Sequence, residues 1–354
     1  SGLRAMACYG GRAAMDEHRV LKQVRPQIIF GTPGRLNDHL SKGNFSPYHI
    51  KYLVIDEFDK CLEMGFQDEM SRLIQSLPGL RRHFLLSATE AEEIPRFVHM
   101  GRVEKIDYRM DEEQVPERVH IYKVESPVKD KLESLGRLLR SLGETSTIVF
   151  LNYRDSVERT NNYLVEQGFS TSFFHGGLEQ KEREASLYRF SNGSANILVS
   201  TDLASRGLDI PDIDNIIHYH IPESEDGYIH RVGRTARWEA QGRAFFLLGP
   251  EEHIPEYVDA EVEEYEIPAV EELPAPAKPK MATLYIGKGK KDKISKGDIL
   301  GFLCKKGGLN SSEIGKIDVN DRYAYAAIAR PKLKSVLNNV KGEKIKGVKT
   351  IVEE

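Results

Sequence analysis

The sequence predicts an α/β fold: two successive parallel-sheet domains followed by a small α+β domain. Three observations predict it. Short apolar runs end abruptly at polar clusters, at 27–30, 52–55 and 83–86, then at 147–151, 171–174, 196–201, 215–220 and 243–248. That is how strands buried in a parallel sheet read. Longer stretches lie between them, several with apolar residues at helical spacing, and such alternation builds βαβ units. Residues 282–354 read differently, as β-α-β-β-α-β, the split βαβ, ferredoxin-like order.

In chain order, residues 1–110 hold the first three runs, preceded by an apolar stretch at 5–9. Met70, Leu73, Ile74 and Leu77 recur at helical spacing and predict a helix over 67–77. The polar stretch 107–118 reads as a hinge. A second α/β domain then spans 117–265, with helices expected at 128–142, 154–167, 179–191 and 225–238. Residues 266–281 mix prolines with Ala, Glu and Lys, a composition of extended, semi-rigid linkers. In the tail the expected elements are 283–287, a helix opening near Ser295, 314–319, 322–328, a helix opening at Pro331, and 344–352.

The bulk numbers narrow the function classes. A chain of 354 residues with 40% hydrophobic and 29% charged content is ordinary globular protein of two or three domains. No run approaches the roughly eighteen apolar residues that a membrane span requires. Cys8, Cys61 and Cys304 are widely separated and give neither a disulfide framework nor a paired metal-ligand spacing, so a reducing cytoplasm is the expected compartment. The net charge of −4 conceals an asymmetry: residues 282–354 carry 16 basic and 8 acidic side chains, residues 250–281 carry 2 and 10. A basic block behind an acidic tether points to a polyanionic partner.

Candidate chemistry sits at the ends of the apolar runs. Lys51 to Ile55 leads into Asp56-Glu57-Phe58-Asp59. Ligands of open α/β sheets bind beyond the carboxyl ends of strands, and adjacent carboxylates there can hold hydrated Mg²⁺ and poise a water. Alone, the cluster reads first as a solvated acidic turn, and only its downstream partners reverse that. Gly31-Thr32-Pro33-Gly34-Arg35, with Gly10-Gly11, suits a phosphodiester backbone, although Thr-Pro-Gly alone is a common turn. Ser87-Ala88-Thr89 places hydroxyls beside the carboxylates if the two strands are neighbours, or caps a helix. In the second domain, Ser200 to Asp209 follows a strand, and His230-Arg231-Val232-Gly233-Arg234-Thr235-Ala236-Arg237 sets Arg234 and Arg237 three apart, on one face of a helix. Two guanidiniums so presented could stabilise a transferring phosphoryl group. The plain alternative is surface Arg–Glu pairing.

Taken together and in order, Tyr9-Gly10-Gly11, Thr32-Pro33-Gly34-Arg35, Asp56-Glu57-Phe58-Asp59 and Ser87-Ala88-Thr89 resemble the first half of the DEAD-box RNA helicase core. Ile148 to Arg154, Gln180-Lys181-Glu182-Arg183, Ser200 to Asp209 and His230 to Arg237 resemble its second half. The resemblance implies two RecA-like domains and an ATP-dependent enzyme using Mg²⁺. It implies that Asp56 holds Mg²⁺ through water, Glu57 deprotonates the attacking water, and Ser87 and Thr89 couple hydrolysis to strand separation. It places Asp59, Gly207, Asp209 and His230 at the nucleotide and makes Arg234 and Arg237 arginine fingers. Gly10, Gly11, Thr32, Pro33, Gly34, Arg35, Arg154, Gln180, Arg183 and Thr201 would line an RNA backbone track.

Phe58 stands where the family has alanine, and Ala236 where it has glycine; retained Mg²⁺ binding with local repacking around Phe58 is expected. No Gly-x-x-x-x-Gly-Lys-Ser/Thr phosphate loop occurs in the 354 residues. The expectation is therefore an incomplete first RecA-like domain, a fragment of a longer protein, and no ATP hydrolysis by this chain alone. Residues 282–354 resemble the C-terminal RNA-binding domain of the DbpA-like group, which implies 23S ribosomal RNA as partner in large-subunit assembly. The lysine loop, with Lys288, Lys290, Lys291 and Lys293, is the expected RNA contact; Tyr323 and Tyr325 read either as stacking residues or as plain sheet aromatics. A monomer is expected. The competing reading is a non-catalytic RNA-binding adaptor built on a helicase remnant, with a DNA translocase as a weaker third.

Overall fold

The computed structural model describes residues 2–10, 14–63, 65–87, 98, 103–106, 118–205, 210, 213–235 and 241–354. It divides into two compact units, residues 1–108 and 109–354. The expected hinge at 107–118 lies almost wholly outside the described residues.

The first unit runs β1 (Ala5–Cys8), α1 (Ala14–Val24), β2 (Ile28–Gly31), α2 (Pro33–Ser41), β3 (Tyr52–Ile55), α3 (Phe58–Glu63), α4 (Gln67–Gln75) and β4 (Arg82–Leu85). The strands form two parallel pairs. In β1–β2, Cys8 stands opposite Gly31; in β3–β4, Ile55 stands opposite Leu85. The second pair has one covered face. Leu53, Ile55 and Leu85 pack against a small core of Phe58, Met70, Ile74 and Val98. Tyr52, Val54 and Phe84 on the other face are exposed. This differs from the expectation of a strand buried on both sides: the described helices α3 and α4 cover a single face, and period-2 alternation sends every other side chain outward. The expected helix at 67–77 is present as α4, but a short helix, α3, precedes it.

The second unit is doubly wound. Its elements are β5 (Val119–Glu125), α5 (Leu132–Leu142), β6 (Thr147–Phe150), α6 (Arg154–Glu166), β7 (Thr171–Phe174), α7 (Gln180–Ser191), β8 (Ile197–Ser200), β9 (Asn215–His218), α8 (Glu225–Val232), β10 (Gly242–Leu248) and β11 (Val262–Glu264). The strands pair in parallel in the order β11-β5-β10-β9-β6-β8-β7. Alternate residues feed two cores. Val149, Val199, Ile217 and Phe245 pack with Leu135 and Leu138 of α5 and Leu164 of α6. Ile148, Leu198, Ile216 and Phe246 pack with Phe190 of α7 and Tyr228 and Val232 of α8. Fully buried parallel strands read as continuous apolar runs for this reason.

Beyond β11 the chain is strapped along α5. Arg140 donates to the carbonyls of Leu273 and Pro274, both at 2.7 Å, and Arg137 to that of Pro268 at 3.3 Å. It then enters the last domain: β12 (Met281–Ile286), α9 (Lys296–Lys305), β13 (Ile314–Val319), β14 (Ala324–Ala329), α10 (Leu333–Val340), β15 (Lys344–Ile345), β16 (Val348–Lys349) and β17 (Val352–Glu353). The antiparallel sheet has the order β13-β14-β12-β17. Ser295 caps α9 with Asp298 in a reciprocal box, Ser295 Oγ accepting from the Asp298 N–H at 3.2 Å and Asp298 Oδ2 from the Ser295 N–H at 2.9 Å. The single last strand expected at 344–352 is instead a hairpin, β15–β16, and a separate strand, β17. Lys346 and Gly347 adopt φ of 52° and 82°, the left-handed pair that a tight hairpin turn requires.

Two histidines, one buried and one half-buried, make the second unit sensitive to acid. His218 is fully buried against Phe246, and burial with the nearby Arg231 charge holds its pKa well below the usual value. Burial, then the Lys131 charge, pushes His220 down to about 4. A base depressed on folding is protonated first in the unfolded chain. Its stabilising effect is therefore complete above the unfolded pKa of about 6.5 and is lost as pH falls toward the folded value. For the half-buried His220 the loss is expected to be ~1–3 kcal/mol by pH 4. Urea midpoints measured between pH 7 and 4 should fall more steeply for the wild type than for His220→Gln; equal slopes would refute the assignment.

Candidate functional site

The carboxylates 56–59 and Ser87 do stand at the ends of neighbouring strands. The Leu86 N–H donates to the Ile55 carbonyl and the Phe58 N–H to the Leu86 carbonyl, both at 2.9 Å, which ties the first residues beyond β3 to those beyond β4. Asp56, Glu57 and Ser87 are exposed there, while Phe58 is 1% exposed and Asp59 is buried. Phe58 thus anchors the turn in the core and leaves the two residues before it, Asp56 and Glu57, outward. Its bulk, unexpected on the family's alanine, is taken up among Met70, Ile74 and Val98. Glu57 has a φ of 50°, a left-handed conformation that L side chains rarely adopt, and Asp56 Oδ1 accepts its N–H at 3.0 Å. Among the described residues neither Asp56 nor Glu57 is in an ion pair, so both carboxylates face solvent with their charge available. Such a donor set fits a hydrated Mg²⁺, a hard cation that keeps waters and takes few carboxylates. Cys61 lies behind them, its thiol pKa raised by burial and then by Glu57, Asp59 and Asp56. Thr89 lies outside the described residues.

The other strand pair of this unit gathers the groups expected to face an RNA backbone. Gly10 follows β1, and Thr32 to Arg35 follow β2 into the first turn of α2, the Thr32 N–H donating to the Cys8 carbonyl at 3.3 Å. Pro33 opens the helix, where its missing N–H costs nothing. Among the described residues, nothing beyond its chain neighbours and its own helix backbone lies within 4 Å of where a Cβ on Gly34 would point, so this backbone is open to a ligand. Arg35 Nε is 3.6 Å from Glu17. Gly31, read from the sequence as part of the glycine-rich loop, has a steric reason as well: a Cβ there would meet the Cys8 carbonyl oxygen at 2.7 Å. Gly11 lies outside the described residues.

In the second unit, the ends of β6, β8 and β9 converge on a residue that sequence spacing did not single out. Arg231, on α8, is 0% exposed. Its guanidinium donates to Asp202 Oδ1 at 2.5 Å and Oδ2 at 3.0 Å, to the His220 carbonyl at 2.8 Å and to Asn152 Oδ1 at 2.7 Å. It lies over the Phe150 ring. Each partner follows a different strand. Thr201 and Arg154 flank this knot, Arg154 close over bare Gly176, where a Cβ would come within 3.3 Å of its guanidinium. Gln180 and Arg183 share the first turn of α7, the Arg183 guanidinium donating to Gln180 Oε1 at 2.9 Å. His230 Nδ1 lies 2.8 Å from the Asp226 carbonyl.

The expectation of a helix carrying Arg234 and Arg237 on one face is corrected. Helix α8 ends at Val232, Gly233 caps it, and Thr235 bridges to Ile213 in strand fashion. Arg234 therefore sits in a turn, buried, its Nε donating to the Ser205 carbonyl at 2.7 Å. Arg237, Gly207 and Asp209 lie outside the described residues.

In the tail, Lys290, Lys291 and Lys293 are exposed to differing degrees and Lys288 pairs with Asp292 at 3.2 Å. The loop is pinned from below, since the Lys290 and Lys291 N–H groups donate to the carbonyls of Asn320 and Asp321 at 2.9 and 2.8 Å. The tyrosines have a different role from either expected one. Tyr325, 8% exposed, stacks on Tyr188 of α7 with ring centroids 5.0 Å apart. Tyr188 donates to the Lys316 carbonyl at 2.5 Å, Tyr323 donates to Glu184 at 3.3 Å, and Lys181 lies over the Tyr285 and Tyr323 rings. The aromatic sheet face is a docking surface on α7, the helix whose first turn carries Gln180 and Arg183. No sequence signal in the tail alone could show this, because the other half of the contact is Tyr188.

Comparison with known proteins agrees with this layout. Residues 1–97 match the DEAD/DEAH box helicase family, residues 130–239 the helicase conserved C-terminal domain, and residues 283–354 the DbpA RNA binding domain. The chain is 36% identical over 333 residues to the ATP-dependent RNA helicase DbpA of Escherichia coli (strain K12), covering 92% of this chain and 72% of that protein. It is 30% identical over 374 residues to the ATP-dependent RNA helicase DbpA of Bacillus subtilis (strain 168), covering 98% and 78%. Among solved structures, S. cerevisiae Dbp5 bound to RNA and ADP BeF3 aligns with a TM-score of 0.62 at 23% identity, over 75% of this chain and 71% of that one, a likeness of fold.

Proposed function

The chain belongs to the DEAD-box family of ATP-dependent RNA helicases, in its DbpA-like group, and from that premise we propose that it couples ATP hydrolysis to local unwinding of RNA duplexes, recruited by its tail to 23S ribosomal RNA during large-subunit assembly. The observation that carries the catalytic part is the pair of outward carboxylates beyond β3, beside Ser87 beyond β4. Asp56 would hold Mg²⁺ through water, and the cation would neutralise phosphate charge. Glu57 would accept the proton of the attacking water. Arg234 and Arg237 would supply guanidiniums to the transferred phosphoryl group. Gly10, Thr32, Gly34, Arg35, Arg154 and Thr201 would contact the sugar-phosphate chain, which gives sequence-tolerant binding. The lysines 290, 291 and 293 would add the salt-dependent attraction of the tail.

Because the 354 residues contain no phosphate loop, turnover is proposed for them only together with one. The test is ATP hydrolysis, with and without a fragment of 23S ribosomal RNA, by this chain and by a form fused behind a family phosphate-loop segment. Hydrolysis is expected in the fused form alone and only with RNA. RNA binding that ATP never alters, with no hydrolysis in either form, would instead support the adaptor reading.

A further inference from the structure

Beneath the loops that follow β1 and β2 lies a cluster that the helicase chemistry does not use. Cys8 ends β1, Glu17 lies on α1 and His39 on α2; the thiol sulfur, a carboxylate oxygen and an imidazole nitrogen all lie within 4.8 Å of one another, and all three residues are buried. His18 and Asp38 form a second trio with the same His39. One hydrogen bond is made inside the cluster, between His39 Nε2 and Glu17 Oε2 at 2.9 Å. The other carboxylate oxygen, Glu17 Oε1, is buried without a hydrogen-bond partner among the described residues. A buried acceptor left unpaired is costly, and a cation is one partner that would satisfy it.

We propose that Cys8, Glu17 and His39 form a binding site for a zinc-class divalent metal ion, distinct from the carboxylates beyond β3. The donor set decides the class. One sulfur, one imidazole nitrogen and one carboxylate suit a borderline-soft cation and not Mg²⁺. Ligand atoms would sit about 2.0–2.3 Å from the ion, so separations of up to 4.8 Å need only small side-chain movements to close. A water completes the fourth position. On binding, the Cys8 S–H proton leaves to solvent and a sulfur–metal bond forms. The His39 ring keeps one proton, which moves from Nε2 to Nδ1. Asn44, whose side-chain amide is 3.1 Å from Nδ1, then turns its oxygen to accept it, the usual outer support of a metal-bound imidazole. The site also reaches the RNA-facing turn. Glu17 is the carboxylate beside Arg35, so an ion that shares the Glu17 charge loosens its hold on that guanidinium.

Cobalt titration of the chelator-treated, reduced 354-residue chain tests this, because Co²⁺ reports a thiolate ligand by a charge-transfer band. One equivalent is expected to give that band, and Zn²⁺ to abolish it. Cys8→Ser should lose the band, and His39→Gln should weaken binding by more than about tenfold. The double variant Cys61→Ser/Cys304→Ser keeps Cys8 as its sole thiol and should retain the band in full, a readout that holds even if Cys8→Ser misfolds. Absence of the band from the wild type or from that double variant overturns the proposal.

Discussion

Glu57→Gln is expected to lower RNA-stimulated ATP hydrolysis by a factor of roughly 10²–10⁴, the usual contribution of a positioned general base, with nucleotide affinity nearly unchanged. The substitution is close to isosteric. It keeps the side-chain length, the exposure and the left-handed backbone at position 57, where φ is 50°, and removes only the ability to take a proton. The backbone there is held by its surroundings: Phe58 is anchored in the core and Asp56 Oδ1 accepts the Glu57 N–H. The substituted amide therefore inherits the same placement, and a loss of rate reports chemistry and not misfolding. Asp56→Asn should behave differently. On the proposed role of Asp56 it would weaken Mg²⁺ binding itself, so nucleotide affinity and rate should fall together. Single-turnover hydrolysis in the phosphate-loop-bearing form, alongside nucleotide binding, separates the two. A Glu57→Gln rate within about fivefold of wild type would remove Glu57 from the role of base.

Much of this site is legible in the sequence, for a physical reason. Strand β3 could be read to the residue because Tyr52–Ile55 is an apolar run closed by Lys51 and Asp56, and the turn beyond it carries the carboxylates. Strands β6, β8, β9 and β10 of the second domain are as plain, because their side chains are buried on both faces of the sheet and alternation disappears. The failures share one cause: the deciding partner is remote in sequence. Strand β5, Val-His-Ile-Tyr-Lys-Val-Glu, mixes charge with apolar residues and becomes a strand by pairing with β10, more than a hundred residues away. Helices α1 and α2 bury few side chains, Leu21 and His39 among them, too few to set a helical period. The tyrosines of the tail needed Tyr188. Spacing also misled at the second-domain arginines. Arg231, Arg234 and Arg237 are equally spaced by three, and nothing in that interval distinguishes a residue fully buried beside Asp202 from one in a turn beyond the helix.

That distinction has a measurable consequence. Arg231→Met is expected to destabilise the second unit by ~3–4 kcal/mol, toward the lower end for breaking a buried charge network, since the Asp202 side chain is 48% exposed and recovers some solvation. The rest of the cost falls on groups that water cannot reach so easily: Asn152 Oδ1 and the His220 carbonyl lose a charged donor at 2.7 and 2.8 Å. Methionine matches the stem and replaces none of these bonds. Arg231→Lys should recover less than half, because one ammonium cannot span acceptors on three strand ends as a planar fork does. Urea unfolding of the 354-residue chain, followed by a probe in the second unit, reads both values. The network also fixes the chain after β6 and β8, so if Arg154 and Thr201 contact RNA as proposed, RNA affinity should drop in the same variants under conditions where they remain folded. Arg234, whose Nε donates to the Ser205 carbonyl and which is proposed to act on the phosphoryl group, should show the opposite balance, a large loss of hydrolysis for a smaller loss of stability. If Arg231→Met leaves the urea midpoint unchanged, the three strand ends are held by their sheet bonds alone and the guanidinium is not what joins them.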